Sequence, residues 1–279
     1  MKPLRLAVTG AAMIAATALA ASPARAAELP EAIRQAGSFH LSVNSTYAPM
    51  EFHDPATNEL KGLDIDLAEA IAKRLGVRIA WTDVPFDQLI PSLQTGRTDF
   101  IISGLSDRAS RRDTADFVDY LGTGPQFFVL EGSAPQAALD LCGLKVGTTR
   151  STSFPAEIEA WSRANCGPAS KPAIQYVPGE NSIDVRNQLK QGRIDAAVQG
   201  SETLPYAQAN EPGKYRILGQ PIGQGYQGIA FRKDAAALRA AVTVALADMI
   251  ADGTYTAILA KWGLSANAVA EPMLNASPQ

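Results

Sequence analysis

The chain has 279 residues, of which 46% are hydrophobic and 19% charged, a balance typical of a folded protein of one or two domains and not of a disordered one. The net charge of −3 argues against a nucleic-acid partner, since such partners select a basic face. The two histidines, His40 and His53, and the two cysteines do not have metal-ligand spacing, so we predict no metal site and no cofactor.

The first 26 residues differ from the rest of the chain. Lys2 and Arg5 give a basic start, residues 6–20 are an uncharged apolar run, and an Ala-Arg-Ala cleavage site ends at Ala26. The run is too short to span a bilayer and no second run follows, so residues 1–26 are predicted to be a removable secretory signal peptide. A buried N-terminal helix is the alternative. Removing the segment takes away three basic residues and no acidic ones, which changes the net charge from −3 to −6.

After the signal segment, short strand-like runs alternate with amphipathic helical runs, which predicts an α/β fold. In the first half the predicted elements are a strand at 40–43, a helix at 64–75, a strand at 78–81, a helix at 86–95 and a buried strand at 99–103. Gly76 and Gly96 are placed to end the two helices.

The pattern then restarts. The second half has predicted strands at 144–147, 174–177 and 194–198, with helices at 154–164 and 182–190. The tract GRTDFIISG at 96–104 is similar to GRIDAAVQG at 192–200. Two α/β lobes with the same βαβ order are therefore predicted, and not one large sheet.

The lobes are expected to be joined by two strand-like crossings, near 124–128 and 223–228. This division gives a discontinuous first lobe at 27–125 plus 226–265 and a second lobe at 126–225. The remaining residues, 266–279, lack periodicity and are expected to form a loose tail. The predicted fold class is two doubly wound α/β lobes joined by a two-strand hinge.

Ligands of doubly wound lobes gather beyond the carboxyl ends of the strands. Three polar loops lie at such positions, at residues 44–52, 104–112 and 148–153. The third loop is a run of hydroxyl residues before a helix, where free backbone N–H groups and the helix dipole favour an anion. N-capping alone is the alternative interpretation of that run.

The chain resembles the bacterial extracellular solute-binding proteins of the polar amino-acid uptake family, the receptors of ABC transporters related to glutamine- and histidine-binding proteins. The tracts that carry the resemblance span nearly the whole chain after the signal segment: YAPMEF (47–52), GLDIDLAEAIAKRLG (62–76), FDQLIPSLQTGRTDFIISG (86–104), LCGLKVGTTRSTS (141–153), GRIDAAV (192–198), GIAFRKD (228–234) and ADGTYTAILAKWG (251–263). The resemblance implies lobes that close on a ligand by hinge motion. It also implies a membrane permease as partner.

The resemblance implies roles for individual residues. Arg111 matches the arginine that pairs with the ligand carboxylate, whose two parallel hydrogen bonds a lysine does not reproduce. Tyr47 and Phe86 match the aromatic pair that sandwiches the solute, and Thr152 and Ser153 match residues of the second lobe that reach it on closure. Without the family, Arg111 is consistent with a solvated charge and each ring with ordinary core. The predicted ligand-binding residues are Asn44, Tyr47, Glu51, Phe86, Gly104, Leu105, Ser106, Arg111, Thr149, Thr152, Ser153, Gly200 and Glu202.

Two departures from the family bear on the ligand. Gly200 stands where the family places the aspartate that binds the ligand ammonium, and Asn44 stands at a position that is often acidic. Arg108 and Arg150 add positive charge to two of the loops. These departures favour a more anionic ligand, and a zwitterionic amino acid would need Glu202 or Glu51 as a substitute acid.

Cys142 and Cys166 are predicted to form a disulfide, because an exported protein folds in an oxidising compartment and several family members carry a similar pair. They flank the first helix of the second lobe. In the loop-entropy description such a bridge contributes roughly 3 kcal/mol to stability.

The predicted function is that of a soluble, monomeric, periplasmic binding protein of an ABC uptake system, which takes a small carboxylate-bearing solute and performs no catalysis. The alternative is a dehydratase of the same fold, acting on prephenate-like acids. Such an enzyme needs a general acid, which in the dehydratases lies at the position of Thr203.

Overall fold

A computed structural model describes residues 28–278, and the predicted signal peptide lies outside these residues. The strands are β1 (Ser38–Val43), β2 (Thr46–Tyr47), β3 (Glu51–His53), β4 (Leu60–Lys61), β5 (Arg78–Asp83), β6 (Phe100–Ile101), β7 (Ala115–Thr123), β8 (Pro125–Leu130), β9 (Lys145–Thr149), β10 (Gln175–Gly179), β11 (Ala196–Gly200), β12 (Tyr215–Leu218), β13 (Gly225–Arg232) and β14 (Met273–Leu274). The α-helices are α1 (Glu31–Ala36), α2 (Leu63–Arg74), α3 (Leu89–Gln94), α4 (Ala109–Arg112), α5 (Phe154–Asn165), α6 (Ser182–Lys190), α7 (Leu204–Asn210), α8 (Ala236–Ala251) and α9 (Thr254–Lys261). Short 3-10 turns cover Phe86–Gln88, Ala138–Leu141, Ser201–Thr203 and Ser265–Asn267.

The strands form two main sheets, one in each lobe. The first has the order β14-β7-β13-β6-β1-β5, with β1 parallel to β5 and β6. The second has the order β10-β9-β11-β8-β12, with β9 parallel to β10 and β11. A small sheet has the order β2-β3-β4, and its strands β3 and β4 contact α2. The prediction of a two-lobed α/β fold is confirmed.

Each lobe has its own apolar core. In the first lobe α2 buries Leu67 and Ile71 against the sheet, where the rings of Phe39 and Phe100 meet edge to face at 5.0 Å. In the second lobe the Phe127 ring packs on α5. Burial of one such side chain contributes about 1.5–3 kcal/mol. Between residues 28 and 278 no single helix is long and apolar enough to cross a membrane. Helices α8 and α9 meet the length and composition criteria only when taken together, and the pair is bent by 78°.

The chain passes between the lobes at Gly124, between β7 and β8, and again between β12 and β13. The two crossings touch, since a Cβ atom on Gly124 would lie well inside van der Waals distance of the Gly223 carbonyl oxygen. Gly124 also accepts a hydrogen bond from the Ser201 N–H at 2.9 Å. The close contact between the two crossings therefore requires a glycine at position 124.

Gly124→Ala is expected to lower the free energy of unfolding by about 1–3 kcal/mol, because the added methyl group meets backbone that no rotamer change can move. Urea denaturation measures this change. Gly122→Ala is the matched control, since a Cβ atom there meets only the Asn267 carbonyl oxygen, at 3.5 Å. Equal stability of the two variants would show that the crossings do not need their close contact.

The C-terminal segment corrects one prediction. Residues 266–279 were expected to form a loose tail, but β14 pairs with the edge strand β7. Ser277 is 3% exposed; its N–H donates to Asp107 at 3.0 Å and its Oγ accepts from the Tyr226 N–H at 2.8 Å. The segment is held by these hydrogen bonds together with the apolar contacts of Val269 and Met273 on the core of the first lobe, which are too few to give its sequence a periodic pattern.

The predicted disulfide between Cys142 and Cys166 is present, with the two Cα atoms 5.6 Å apart. The predicted strand at 99–103 is shorter in the structure, covering Phe100–Ile101. It ends before Gly104, whose φ of +53° turns the chain out of the sheet and into the second polar loop.

Candidate ligand-binding cleft

A cavity with about 490 Å³ of space, part of it open to solvent, lies between the lobes, at the carboxyl ends of β1, β9 and β11. Nine of the thirteen predicted ligand-binding residues line it: Asn44, Tyr47, Phe86, Gly104, Ser106, Arg111, Thr149, Thr152 and Ser153. Loops that are far apart in the sequence therefore meet at one place, as expected for parallel strands.

Four predicted residues lie outside the cavity lining: Glu51, Leu105, Gly200 and Glu202. Leu105 belongs to the core of the first lobe, and Glu51 is buried beneath the cleft, where it accepts a hydrogen bond from the Ser103 hydroxyl at 3.1 Å. Glu202 is fully buried and points toward the hinge. Glu51 and Leu105 lie in two of the predicted polar loops, and Gly200 and Glu202 were proposed from the family resemblance, but neither line of reasoning determined the directions of the side chains.

Six lining residues are not among the thirteen predicted ligand-binding residues, although Thr46 and Thr148 lie in two of the predicted polar loops: Thr46, Thr148, Phe154, Ser182, Val198 and Gln199. Val198 and Gln199 lie near the carboxyl end of β11, so the strand-end rule could have found them. Ser182, at the start of α6, carried no signal in the sequence. It lines the cavity because its hydroxyl donates to the Thr46 carbonyl across the cleft.

Arg111 is half-buried and its guanidinium forms part of the cavity wall. One N–H donates to the Ser106 carbonyl at 2.8 Å, and the guanidinium lies 5.8 Å from the centre of the Phe86 ring. Burial and the positive charge of Arg108 lower the pKa of Arg111 to about 10. The side chain is therefore still a cation at neutral pH.

The charged neighbours of Arg111 are engaged with other partners. Asp107 forms two hydrogen bonds with Arg112, at 2.7 and 2.6 Å, and Glu157 pairs with Arg108 at 2.7 Å across the cleft. Within residues 28–278 no carboxylate oxygen lies within 4.0 Å of the Arg111 guanidinium. The cavity wall therefore carries one positive charge without a counter-ion.

The second lobe faces Arg111 with hydroxyl groups. Ser153 stands at the N-cap of the twelve-residue helix α5, and its Oγ is buried without a hydrogen-bond partner. The Thr152 hydroxyl donates to the Thr149 carbonyl at 2.8 Å, and that of Thr148 to the Val198 carbonyl at 2.9 Å. The free Ser153 hydroxyl and the helix dipole favour an anion at this wall.

Tyr47 joins the two lobes. Its hydroxyl donates to Glu202 Oε1 at 2.7 Å and accepts from the Gly200 N–H at 3.0 Å. Glu202 also accepts from Gln227 Nε2 at 2.8 Å and from the Thr123 hydroxyl. The lobes are thus in direct contact beside the cavity, in a closed arrangement.

Three carboxyl groups, those of Glu51, Asp64 and Glu202, are buried below this contact. Burial raises the pKa of all three, and raises that of Asp64 to about 6. Asp64 accepts from the Tyr120 hydroxyl at 2.6 Å and from the Gly104 N–H at 2.7 Å. No cation lies within 4.0 Å of these carboxyl groups in the part of the chain that the structure describes.

We expect stability to decrease as pH rises from about 4 to above 6. A raised pKa means that the folded state binds more protons than the unfolded state in this pH range. The resulting stabilisation is complete below the pKa of the unfolded state, and it is lost as the pH rises through the pKa of the folded state. A tenfold difference in proton affinity between the two states corresponds to about 1.4 kcal/mol. Asp54 and Asp252 have pKa values of about 2, so their contributions to stability change with pH below this range.

Urea unfolding at pH 5 and pH 8 tests this dependence. Glu51→Gln should flatten it, because the amide removes one carboxyl group from beside Asp64. A wild-type stability that is constant or increases between the two pH values would contradict the expectation.

The family model of bacterial extracellular solute-binding proteins, family 3, matches residues 39–265. The lysine/arginine/ornithine-binding periplasmic protein of Escherichia coli (strain K12) is 32% identical, with 85% of this chain and 89% of the relative covered. The ABC transporter glutamine-binding protein GlnH of Bacillus subtilis (strain 168) is 28% identical, with 75% of each chain covered.

Among solved structures, an ancestral amino acid-binding protein described as a precursor of cyclohexadienyl dehydratase has a TM-score of 0.71 and 28% identity, with 83% of this chain and 97% of that chain covered. The curated relatives are binding proteins and not enzymes, in agreement with the predicted function. The chain is a substrate-binding protein and belongs to the bacterial extracellular solute-binding proteins of family 3.

Proposed function

We propose that this chain is the substrate-binding component of an ABC uptake system and that it closes its lobes on a small carboxylate-bearing solute anchored by Arg111. One observation carries the proposal: the guanidinium on the cavity wall has no counter-ion, while each neighbouring carboxylate is already paired. A solute carboxylate would supply the missing charge through two parallel hydrogen bonds. A cation withdrawn from water without a partner is otherwise unfavourable.

The opposite wall supports the same assignment. Ser153 offers a buried, unpartnered hydroxyl from the second lobe, while Arg111 and Ser106 belong to the first. A carboxylate between them would contact both lobes at once. Such a ligand binds the closed arrangement better than the open one and so moves the population toward closure. Tyr47 and Phe86 would enclose the body of the solute.

The proposal includes export to the periplasm and recognition of the closed form by an inner-membrane permease, with the chain acting as a monomer. Support for this location comes from the sequence of residues 1–26 and from the periplasmic relatives.

Thermal unfolding in the presence of small acids tests the proposal. Amino acids, 2-oxo acids and 2-hydroxy acids are compared with their methyl esters, which lack the carboxylate. We expect at least one free acid to raise the melting temperature while its ester does not, because a ligand that binds only the folded state stabilises it. Equal effects of acid and ester would refute an anchor that depends on charge.

The cavity does not favour the dehydratase alternative. Such a reaction needs a general acid in reach of the leaving hydroxyl, yet no aspartate or glutamate of the described residues lines the cavity. The Thr203 hydroxyl donates to the Gly200 carbonyl at 2.8 Å and is buried behind the wall. Incubation with prephenate should therefore give no aromatic product.

A further inference from the structure

We infer that the solute is a monocarboxylate without an ammonium group, in the class of the 2-oxo and 2-hydroxy acids, and not a zwitterionic or basic amino acid. This inference rests on the proposed function and concerns the end of the solute that Arg111 does not hold.

The first argument is the charge of the cavity wall. Arg111 is the only ionisable lining residue with a formal charge at neutral pH in the described part of the chain, and the other lining groups are neutral. A bound ammonium group would lose its hydration without gaining a counter-ion, which is strongly unfavourable in an enclosed site. A guanidinium or second ammonium on the solute would add to that penalty.

The nearest carboxyl groups are not free to serve. Glu202 already accepts hydrogen bonds from Tyr47, Gln227 and Thr123, and the Tyr47 hydroxyl stands between it and the cavity. Turning Glu202 toward a ligand would leave three buried donors without an acceptor. Glu51 lies deeper still, against Ser103 and Asp64.

Packing explains why position 200 carries no acid. A Cβ atom on Gly200 would overlap the carboxyl group of Glu202, so the Glu202 side chain fills the volume that any side chain at position 200 would need. The observed position of the Glu202 side chain therefore requires a glycine at position 200. As long as Glu202 keeps this place, the carboxyl end of β11 cannot present an acid to the cavity.

At the carboxyl end of β11, Gln199 presents an amide N–H donor to the cavity in place of an acid. Its Oε1 accepts from Arg186 Nη1 at 3.2 Å, which directs the amide nitrogen to the Ser182 carbonyl, at 3.1 Å. The nitrogen keeps a second N–H, and the side chain lines the cavity while being 2% exposed. Arg186 has no carboxylate within 4.0 Å among residues 28–278, so it adds positive potential behind Gln199. A carbonyl or hydroxyl oxygen suits this wall, and an ammonium does not.

Charge balance selects a single carboxylate. One carboxylate neutralises Arg111, and a second would have no cation on the wall to pair with. The apolar lining residues Phe86, Phe154 and Val198 suit an uncharged body. A small monoanion with an oxo or hydroxyl oxygen satisfies every wall at once.

Isothermal titration calorimetry with matched compounds tests the inference. Leucine is compared with 2-oxo-4-methylpentanoate and 2-hydroxy-4-methylpentanoate, phenylalanine with phenylpyruvate, and arginine with 5-guanidino-2-oxopentanoate. We expect the best oxo or hydroxy acid to bind at least about 100-fold more tightly than its amino acid, since the two differ at the ammonium group. An amino acid that binds as tightly as its oxo acid would overturn the inference.

A double variant moves the acid to the wall. Gly200→Asp combined with Glu202→Ala places a carboxylate on β11 and removes the side chain that would overlap it, with Glu202→Ala alone as control. We expect the double variant to gain affinity for the amino acid relative to its oxo acid. Because the wild-type comparison needs no variant, a double variant that does not fold leaves the inference fully testable.

The inference and the proposed function fail in different ways. Tight binding of amino acids that is lost in Arg111→Ala would keep the carboxylate anchor and refute the inference. If no compound of the panel binds, or if binding does not depend on Arg111, the proposed function itself is refuted.

Discussion

Arg111→Ala is expected to weaken binding of the preferred acid by about a hundred- to a thousandfold, because the bound carboxylate would be left in the cleft without its cation. Arg111→Lys should recover only part of this loss, since an ammonium cannot form the two parallel hydrogen bonds of a guanidinium. Calorimetry on the three proteins gives the affinities.

Arg78→Ala is the control for loss of positive charge, because Arg78 is exposed on the edge strand β5, away from the cleft. Its affinity should equal that of the wild type. If Arg111→Ala also keeps the wild-type affinity, the solute does not depend on this guanidinium and the anchor role is wrong.

Replacement of Glu202 is expected to cause a large loss of stability, because this residue forms part of the contact between the closed lobes. Glu202→Ala removes the acceptor of Tyr47, Gln227 and Thr123, and each unsatisfied buried donor costs about 1–3 kcal/mol. Glu202→Gln keeps the shape and one acceptor oxygen, so we expect it to cost less than about 1 kcal/mol. Urea denaturation of both variants measures the two changes.

The comparison of the two Glu202 variants also identifies the charge state. Burial raises the pKa of Glu202, while the hydrogen bonds that it accepts from Thr123, Tyr47 and Gln227 act in the opposite direction. A glutamine variant as unstable as the alanine variant would show that the contact needs a carboxylate, and a stable glutamine variant would show that a neutral group is sufficient.

The closed arrangement is held by contacts on several sides of the cavity. Tyr47 meets Glu202, Arg108 pairs with Glu157, and Ser182 donates to Thr46, each pair joining the two lobes. These contacts use protein groups alone, so a solute needs to add only the carboxylate interaction to favour closure. The hydrogen bond from Tyr47 also keeps the Glu202 carboxyl group out of the cavity, so the contact that holds the lobes closed also removes an acid from the ligand site.

The sequence predicted the fold and the three loops because both depend on local pattern. Helix and strand periodicity, with glycines at the helix ends, is local, and ligand loops follow from strand direction in a doubly wound lobe. The loops that carry Arg111 and Ser153 were predicted in this way, whereas the binding roles of these two residues were implied by the family resemblance.

Side-chain direction was the part that the sequence could not predict. Glu202 follows Gly200 by two residues, yet its direction is fixed by Tyr47 and Thr123, which lie more than 75 residues earlier in the chain. Gln199 was missed for a related reason, since only its contact with Arg186 determines which end of the amide is free. Ser277 holds the C-terminal segment by donating to Asp107 and accepting from the Tyr226 N–H, contacts that leave no periodic pattern to detect.

A crystal structure of the protein with its tightest-binding acid tests the central claim most directly. We predict that both carboxylate oxygens lie within hydrogen-bond distance of the Arg111 guanidinium, with the Ser153 hydroxyl on the same carboxylate and Glu202 still bonded to Tyr47. A carboxylate bound away from Arg111, or a Glu202 side chain turned onto an ammonium group of the ligand, would contradict it.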